Sequence, residues 1–229
     1  MKPMTKLSSE ERRAAIIKAV RQVFAEKGFH GTLTRELAEA AGVSEALLFK
    51  HFPNKEALYS AMMLSCCEEE NPETAQRLMD LEPSATGLVI LLHSLVSHLL
   101  EENETDDDPS IQIRLMLRSM MEDGEFARLF LQQVGACWMD KISACLDAAV
   151  LAGDAVAGPP TARVAGWLLH YLIVMIFLSL QATPPIVDYG VTHKKLVKQV
   201  VWFTLRGMGL KEETIKRCYN SKTMAWFDS

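Results

Sequence analysis

Apolar residues recur at helical spacing along almost the whole chain. Near the N-terminus, one such stripe comprises Ile16, Ile17, Val20, Val23 and Phe24. Steps of three and four residues place side chains on one face of an α-helix. Ser8 and Glu11 have the spacing of a capping box at the start of this helix, and Lys27-Gly28 marks its end. No long stretch alternates as a β-strand does, so the pattern predicts an all-α protein.

Beyond residue 70 the same pattern predicts a series of longer helices. They cover about 83–102, 109–122, 124–152, 160–182 and 190–208, with a shorter helix after Leu210. Proline, glycine, asparagine and aspartate separate these segments, as expected of turns. The separating stretches are Asn71-Pro72, 106–109, 153–160 and Thr183-Pro184-Pro185.

Residues 33–52 predict two short helices joined by a tight turn. The first helix covers about 34–41, and Gly42 can end it in a left-handed conformation. Ser44 is a good N-cap for the second helix, about 45–51. Two helices that meet at a glycine-containing turn of this length form the helix-turn-helix pattern, whose second helix enters the DNA major groove.

The charge distribution changes how the net charge of −5 is interpreted. Residues 1–60 carry ten basic and seven acidic side chains, whereas the remaining residues carry 14 basic and 22 acidic ones. A basic N-terminal segment on an acidic body indicates that only the N-terminal part approaches phosphates. No secretory signal is evident in residues 1–10, and five scattered cysteines without CxxC pairs are typical of a reducing, cytoplasmic location.

The order of these elements resembles that of one known family. A helix that ends in Lys-Gly-Phe is followed by TLTRELAEAAGVS and then by LFKHFPNKEAL. Over residues 9–70 this arrangement closely resembles the DNA-binding domain of the TetR family of bacterial repressors. The resemblance implies a three-helix DNA-binding domain at 9–70, with its helix-turn-helix at 33–52. It also implies a helical ligand-sensing and dimerisation domain at 71–229.

The resemblance also implies which residues contact DNA. Thr34 and Arg35 would reach phosphate or a base edge, and Arg35 is chemically the best suited to pair with guanine. The exposed positions of the recognition helix would be Ser44, Glu45, Ala46, Leu47 and Lys50. His51 and Lys55 occupy positions at which the family contacts phosphates.

Three positions depart from the family pattern. Phe49 stands where a tyrosine is usual, so the hydroxyl that would bond a phosphate is absent. Ala46 replaces a frequent glycine, which favours the helix. Glu45 either accepts a hydrogen bond from cytosine or caps the helix. These departures leave the operator sequence open.

The most apolar run, 164–180, has two interpretations. It carries no formal charge and has the minimum length of a membrane span. A helix that is apolar on all sides also results when one face packs on its own core and another on a partner subunit. The resemblance favours the second interpretation: a homodimer formed through helices 160–182 and 190–208, with no membrane contact.

The resemblance further implies a small-molecule effector of unknown identity. Adaptable methionines and aromatic residues favour a mostly apolar compound, although core packing explains the same residues. The candidate ligand-binding residues are His93, Met116, Met120, Phe130, Trp138, His170 and Tyr171. Arg118 is among the other polar groups that could orient a ligand.

Motifs for other kinds of chemistry were not found in the sequence. It contains no GxSxG, GxxxxGK[ST], GxGxxG or HExxH motif, so neither an enzyme nor a cofactor is predicted. The acidic run 101–108 lacks the spacing of a calcium-binding EF-hand loop and is interpreted as a solvated loop. No metal site is predicted, and adjacent Cys66 and Cys67 leave a redox role open.

Together these observations predict a cytoplasmic one-component transcriptional regulator, a repressor that binds a palindromic operator as a dimer. Release from DNA would follow binding of the apolar ligand. The alternative is a helical interaction protein with degenerate DNA binding, which Glu45, Phe49 and the acidic total support.

Overall fold

The computed structural model of the chain describes residues 8–68, 72–100, 109–158, 160–220 and 223. The α-helices of these residues are α1 (Ser9–Gly31), α2 (Thr34–Ala40), α3 (Glu45–His51), α4 (Lys55–Glu68), α5 (Pro72–Met79), α6 (Ala85–Leu100), α7 (Pro109–Met121), α8 (Glu125–Phe130), α9 (Ala136–Leu151), α10 (Ala162–Leu180), α11 (His193–Gly207) and α12 (Glu212–Cys218). A π-helical turn, Leu131–Gly135, joins α8 to α9. The described part of the chain contains no strand beyond one isolated bridge between Ala155 and Leu210. The all-α prediction is confirmed.

The helices form two compact units. The first contains α1–α4 together with α7 and α8, and the second contains α5, α6 and α9–α12. The chain crosses between the units three times, the last time within the π-helical turn. The first unit is therefore assembled from two separate segments of the sequence.

Buried apolar residues from all six helices hold the first unit together. Its fully buried side chains include Ile16, Val20, Phe24, Leu37, Leu48, Phe52, Leu58, Met62, Leu115 and Phe126. α7 packs along α1, and α8 packs against both α7 and α4. Phe126, at the start of α8, is as fully buried as Phe24 of α1. The helix-turn-helix elements α2 and α3 are thus fixed to a frame of four helices.

The position of α7 and α8 differs from the predicted division of the chain. The sequence placed everything after residue 70 in a C-terminal domain, but 107–134 groups with the N-terminal helices. Ile113, Leu115 and Met116 are buried in this unit because the short helices α2 and α3 alone cannot cover the apolar faces of α1 and α4. The functional roles given to 9–70 and 71–229 stay predictions.

One predicted helix end agrees with the structure, and two other segments differ from the prediction. Gly28 has φ 70° and ψ 176°, so the regular part of α1 ends at Lys27 as expected, and a further turn follows. α5 was not predicted because Pro72 looks like a helix breaker, yet proline fits the first turn, whose N–H groups are unused. The helix predicted at 124–152 is continuous from Glu125 to Leu151, but it includes the π-helical turn, which the apolar pattern did not indicate.

In the second unit, α6 lies at the centre. α9, α10, α11 and α12 all pack against it, so its buried residues extend around most of the helix. Lys141 of α9 holds the end of α5, where its Nζ donates hydrogen bonds to the carbonyl oxygens of Met79 (2.7 Å) and Leu81. Tyr219, after α12, donates to or accepts from His93 Nδ1 at 2.8 Å and thereby ties the C-terminal segment to α6.

Candidate nucleic-acid interface

The turn between α2 and α3 has the geometry that its sequence requires. Gly42 has φ 62°, and the N–H groups of Gly42 and Val43 donate to Glu39 O and Ala38 O, each at 3.0 Å. Ser44 then caps α3 by accepting a hydrogen bond from Leu47 N at 3.2 Å. Buried Leu37 and Leu48 pack beneath the two helices. The two helices predicted within 33–52 are confirmed.

A charged residue fixes the start of α2. Glu36 accepts hydrogen bonds from Leu33 N at 3.0 Å and from Lys27 Nζ at 2.5 Å. The lysine and the backbone N–H both stabilise the carboxylate, so the pKa of Glu36 lies below its ordinary value. This capping interaction ties the end of α1 to the first residue before the helix-turn-helix.

Arg13 of α1 fixes the other end of the motif. Its Nη1 donates to His51 O at 2.8 Å, which satisfies a carbonyl at the C-terminus of α3. Its guanidinium also lies 4.2 Å from the centre of the Phe52 ring. This contact is not evident from the sequence, because Arg13 is separated from His51 by almost forty residues and lies among other basic residues of α1.

Between these fixed ends, α3 presents an exposed surface of mixed chemistry. Its exposed residues are Ser44, Glu45, Ala46, Phe49 and Lys50. Leu47 and His51 are half-buried on its flanks. Arg35, at the start of α2, is exposed beside Thr34, which is half-buried. All of these except Phe49 were predicted as DNA contacts, and the structure places them on the first turn of α2 and along α3.

Glu45 has a partner that the sequence did not indicate. Thr34 Oγ1 donates a hydrogen bond to Glu45 Oε2 at 3.2 Å, which joins the first turns of α2 and α3. The carboxylate is therefore held in place without capping its own helix. Glu45 is exposed overall, so its carboxylate can also accept a hydrogen bond from a donor on a base edge.

Lys55 carries out a structural task at the N-terminus of α4. Its Nζ donates to Phe29 O at 2.7 Å and to Thr32 O at 2.9 Å, and it lies 4.4 Å from the centre of the Phe29 ring. These contacts hold the connection between α1 and α2. A phosphate contact by Lys55 stays a prediction, and it would have to use the same ammonium group.

The end of α7 also contacts the end of α1. Arg118 Nη2 donates to Lys27 O at 3.1 Å, and Arg118 Nε pairs with Glu122 Oε1 at 2.7 Å. This ion pair lies directly over Gly28, where a Cβ atom would come within 2.2 Å of Glu122 Oε1. Arg118, considered for orienting a ligand, instead connects α7 to the helix that leads into the helix-turn-helix.

The predicted ligand-binding residues fall in both units. Met116, Met120 and Phe130 belong to the first unit, where Met116 is buried and Met120 is exposed. His93, Trp138, His170 and Tyr171 belong to the second unit. His93 is engaged by Tyr219, and Trp138 is part of the core of α9. Their role in binding a ligand stays a prediction.

His170 and Tyr171 are neighbours in an aromatic cluster on α10. The ring of His170 lies edge-on to Trp167, at 5.7 Å between centres, and to Tyr171, at 5.4 Å. Its Nε2 is buried without a hydrogen-bond partner. Burial lowers the pKa of His170, because the surroundings favour the neutral ring.

The outward faces of α10 and α11 have matching spacings and different chemistry. α10 exposes an apolar stripe formed by Val164, Leu168, Tyr171 and Met175. α11 repeats the same steps of four, three and four residues with Lys195, Gln199, Trp202 and Arg206. The latter residues, with Lys198 and Phe203, line an open groove of about 640 Å³. By its length and a mean hydropathy of 1.8, α10 could also cross a membrane, and 39% of its most apolar 18-residue stretch is buried within the structure.

Among the described residues, no group of three or more histidine, cysteine, aspartate or glutamate side chains is placed to hold a metal ion. The acidic run 101–108 lies outside the described residues, as do the side chains of Cys66 and Cys67.

The fold and the capped α2–turn–α3 unit define a helix-turn-helix protein. The family described as "Bacterial regulatory proteins, tetR family" matches residues 16–62. The chain is 32% identical to the HTH-type transcriptional repressor AcnR of Corynebacterium efficiens over 177 residues, which cover 75% of this chain and 82% of AcnR. It is 46% identical to the HTH-type transcriptional regulator RutR of Escherichia coli over 52 residues, or 23% of this chain and 24% of RutR.

Solved structures share the fold over most of the chain. AibR, in a complex with isovaleryl coenzyme A and operator DNA, has a TM-score of 0.63 at 19% identity, with 84% of this chain and 97% of AibR covered. FadR of Bacillus subtilis, in a complex with stearoyl-CoA, has a TM-score of 0.60 at 17% identity, with 85% and 98% covered. This chain belongs to the TetR family.

Proposed function

We propose that the protein is a cytoplasmic transcriptional repressor that binds a palindromic operator as a homodimer and is released by a small, mostly apolar ligand. The observation that carries the DNA-binding part is the fixed frame around α3. Arg13 holds its C-terminus and Ser44 caps its N-terminus, while Lys50 on α3 and Arg35 on α2 stay exposed. A short helix held at both ends presents its side chains to the major groove with little loss of entropy on binding.

Selection of bound duplexes from a random pool by the full-length chain tests DNA binding. We expect a near-palindrome with half-sites about one helical turn apart. Affinity for the selected duplex should fall steeply with salt. The logarithm of the association constant plotted against the logarithm of the salt concentration should have a slope of about −0.9 for each phosphate that is neutralised. The pair Arg35→Ala and Lys50→Ala should lower both the affinity and this slope. The pair Lys211→Ala and Lys216→Ala removes the same charge elsewhere and should change neither.

The dimer is supported by the outward face of α10. Leu168 is 61% exposed and Met175 is 60% exposed, on a helix whose other side is already packed in the core. An exposed apolar stripe of this length is typical of an interface between subunits. The outward face of α11, which exposes Phe203 among charged residues, would extend the contact to four helices, two from each copy, related by a two-fold axis.

Sedimentation equilibrium of the Leu168→Glu variant tests this interface. A carboxylate in the middle of the stripe should shift a two-chain mass toward one chain at micromolar concentration. Leu151→Glu is the matched control, since Leu151 is an apolar residue 89% exposed at the end of α9 and outside the stripe. A wild-type mass of one chain would contradict the proposal.

The ligand proposal rests on the chemistry of the candidate residues and on two structural neighbours. The predicted residues are mainly methionine and aromatic side chains, which adapt to apolar groups. AibR and FadR were solved with acyl-coenzyme A compounds. Acyl-CoAs of varied chain length are therefore the first compounds to test for release of the selected duplex.

The alternative is a helical interaction protein that no longer binds DNA. The carboxylate of Glu45 on α3 and the engagement of Lys55 by two carbonyl groups support it. No enrichment of any duplex, or a duplex affinity unaffected by Arg35→Ala and Lys50→Ala, would favour this alternative.

A further inference from the structure

An apolar side chain lies in the middle of the exposed surface of α3. Phe49 is 40% exposed, whereas the neighbouring core residues Leu48 and Phe52 are 2% and 1% exposed. Phe49 is thus not needed to fill the core in the way that these two residues are. Ala46, one turn earlier on the same helix, is exposed as well, so the two apolar side chains adjoin.

Few groups on a DNA duplex can use such a surface. Phosphates and the donors and acceptors of base edges require polar partners, and a phenyl ring offers no conventional hydrogen bond. The C5-methyl group of thymine is the apolar feature of the major groove, and phenylalanine and alanine are among the residues that contact it. Lys50, next to Phe49, and Arg35 supply the charges that would bring the helix to the groove.

We infer that Phe49 contacts a thymine methyl group and makes thymine a preferred base in each half-site. Phe49 is then a specificity-determining residue, and Ala46 provides the space beside the ring that the methyl group enters. This inference rests on the proposed DNA binding and adds to it the identity of one base. It also gives a role to the position where the family's usual tyrosine hydroxyl is missing.

Replacement of thymine by uracil tests this contact without changing the protein. The duplex that the full-length chain selects from a random pool is resynthesised with deoxyuridine at one thymine position at a time, symmetrically in both half-sites. Uracil pairs as thymine does and lacks only the methyl group. Burial of one methyl group corresponds to about a fourfold gain in affinity. At the contacted position, replacement of thymine by uracil in both half-sites should therefore lower the affinity about fifteenfold.

The Phe49→Ala variant identifies the residue responsible. It should bind the thymine and uracil duplexes with equal affinity, and circular dichroism should show unchanged helix content because Phe49 is partly exposed. Leu33→Ala is the matched control: Leu33 is an exposed apolar residue before α2, and its variant should keep the preference for thymine.

Three results would overturn the inference in distinguishable ways. Equal binding of all uracil-substituted duplexes by the wild-type protein would show that no methyl group is contacted. An undiminished preference for thymine in Phe49→Ala would assign the methyl contact to another residue. Failure to select any duplex would instead remove the proposed DNA binding itself.

Discussion

Gly28 offers the most direct test of how the first unit is assembled. Its φ of 70° and ψ of 176° lie in a region that is almost exclusive to glycine. Its backbone is also covered by an ion pair, since a Cβ atom would lie 2.2 Å from Glu122 Oε1 and 2.7 Å from Arg118 Nε. Gly28→Ala therefore strains the backbone and displaces the contact between α7 and α1.

The size of the effect can be worked from these two parts. The backbone conformation costs an alanine about 1–3 kcal/mol. Displacement of the partly exposed Arg118–Glu122 pair, and of the hydrogen bond from Arg118 to Lys27 O, costs about 1–2 kcal/mol more. We expect the free energy of unfolding to fall by about 2–5 kcal/mol, a large share of the 5–15 kcal/mol typical of a domain.

Gly42→Ala is the matched control, because it separates the two parts. Gly42 has φ 62°, and nothing lies within 4 Å of the Cβ atom that alanine would add. Its cost should be limited to about 1–2 kcal/mol for the left-handed backbone. The loss of unfolding free energy in Gly28→Ala should exceed that in Gly42→Ala. This excess should shrink by at least half when Glu122→Ala is also present, because the side chain nearest to the added Cβ atom is then removed.

Urea unfolding followed by far-ultraviolet circular dichroism measures these differences. All four tryptophans lie after residue 135, so their fluorescence follows the second unit separately. The urea midpoint measured by fluorescence should therefore shift less than the midpoint measured by circular dichroism. The contact between α7 and the end of α1 would be refuted as a source of stability by two results together. Gly28→Ala and Gly42→Ala would lose the same free energy of unfolding, and Glu122→Ala would leave both losses unchanged.

Three further predictions concern single side chains. Arg13→Ala should lower the free energy of unfolding by about 1–3 kcal/mol, since it loses a charged hydrogen bond and a ring contact, whereas Lys18→Ala, on the exposed face of α1, should stay within about 0.5 kcal/mol in the same urea titration. Lys141→Ala should cost about 1.5–3 kcal/mol because it leaves two carbonyl groups at the end of α5 without their donor; no loss relative to Lys216→Ala would contradict this. His170 has a pKa lowered from 6.5 by burial, so the unfolded chain binds the proton more readily and stability falls as the pH drops below about 6.5. His170→Gln should reduce the loss of stability between about pH 7.5 and pH 5.5 in thermal unfolding, and an unchanged pH dependence would show that this ring does not contribute.

Local signals in the sequence account for the parts of the fold that were predicted. Gly42 ends α2 and Ser44 begins α3, and each does so through contacts with residues only a few positions away. The structure has both caps. The capping box of Ser8 and Glu11 is present as well. Such features depend on neighbouring residues, and the sequence displays them directly.

Contacts between distant segments could not be predicted in the same way. Arg13 and Arg118 both donate to backbone carbonyl groups at helix ends. Every residue has a backbone carbonyl group, so the sequence does not indicate which one an arginine will bind. The apolar faces of α7 and α8 match those of any core helix, so their placement beside α1 and α4 has no local signature. The departure of Phe49 from the family pattern was visible in the sequence, but its exposure was not.

The two-segment construction of the first unit has a consequence for synthesis of the protein. A ribosome releases α1–α4 long before it releases α7 and α8, and the whole of α6 is made in between. The buried surface of α1 and α4 therefore stays uncovered until about residue 134 has left the exit tunnel. The apolar core of the first unit is complete only after α8 is made, so a chain truncated near residue 70 should aggregate where the full-length protein does not.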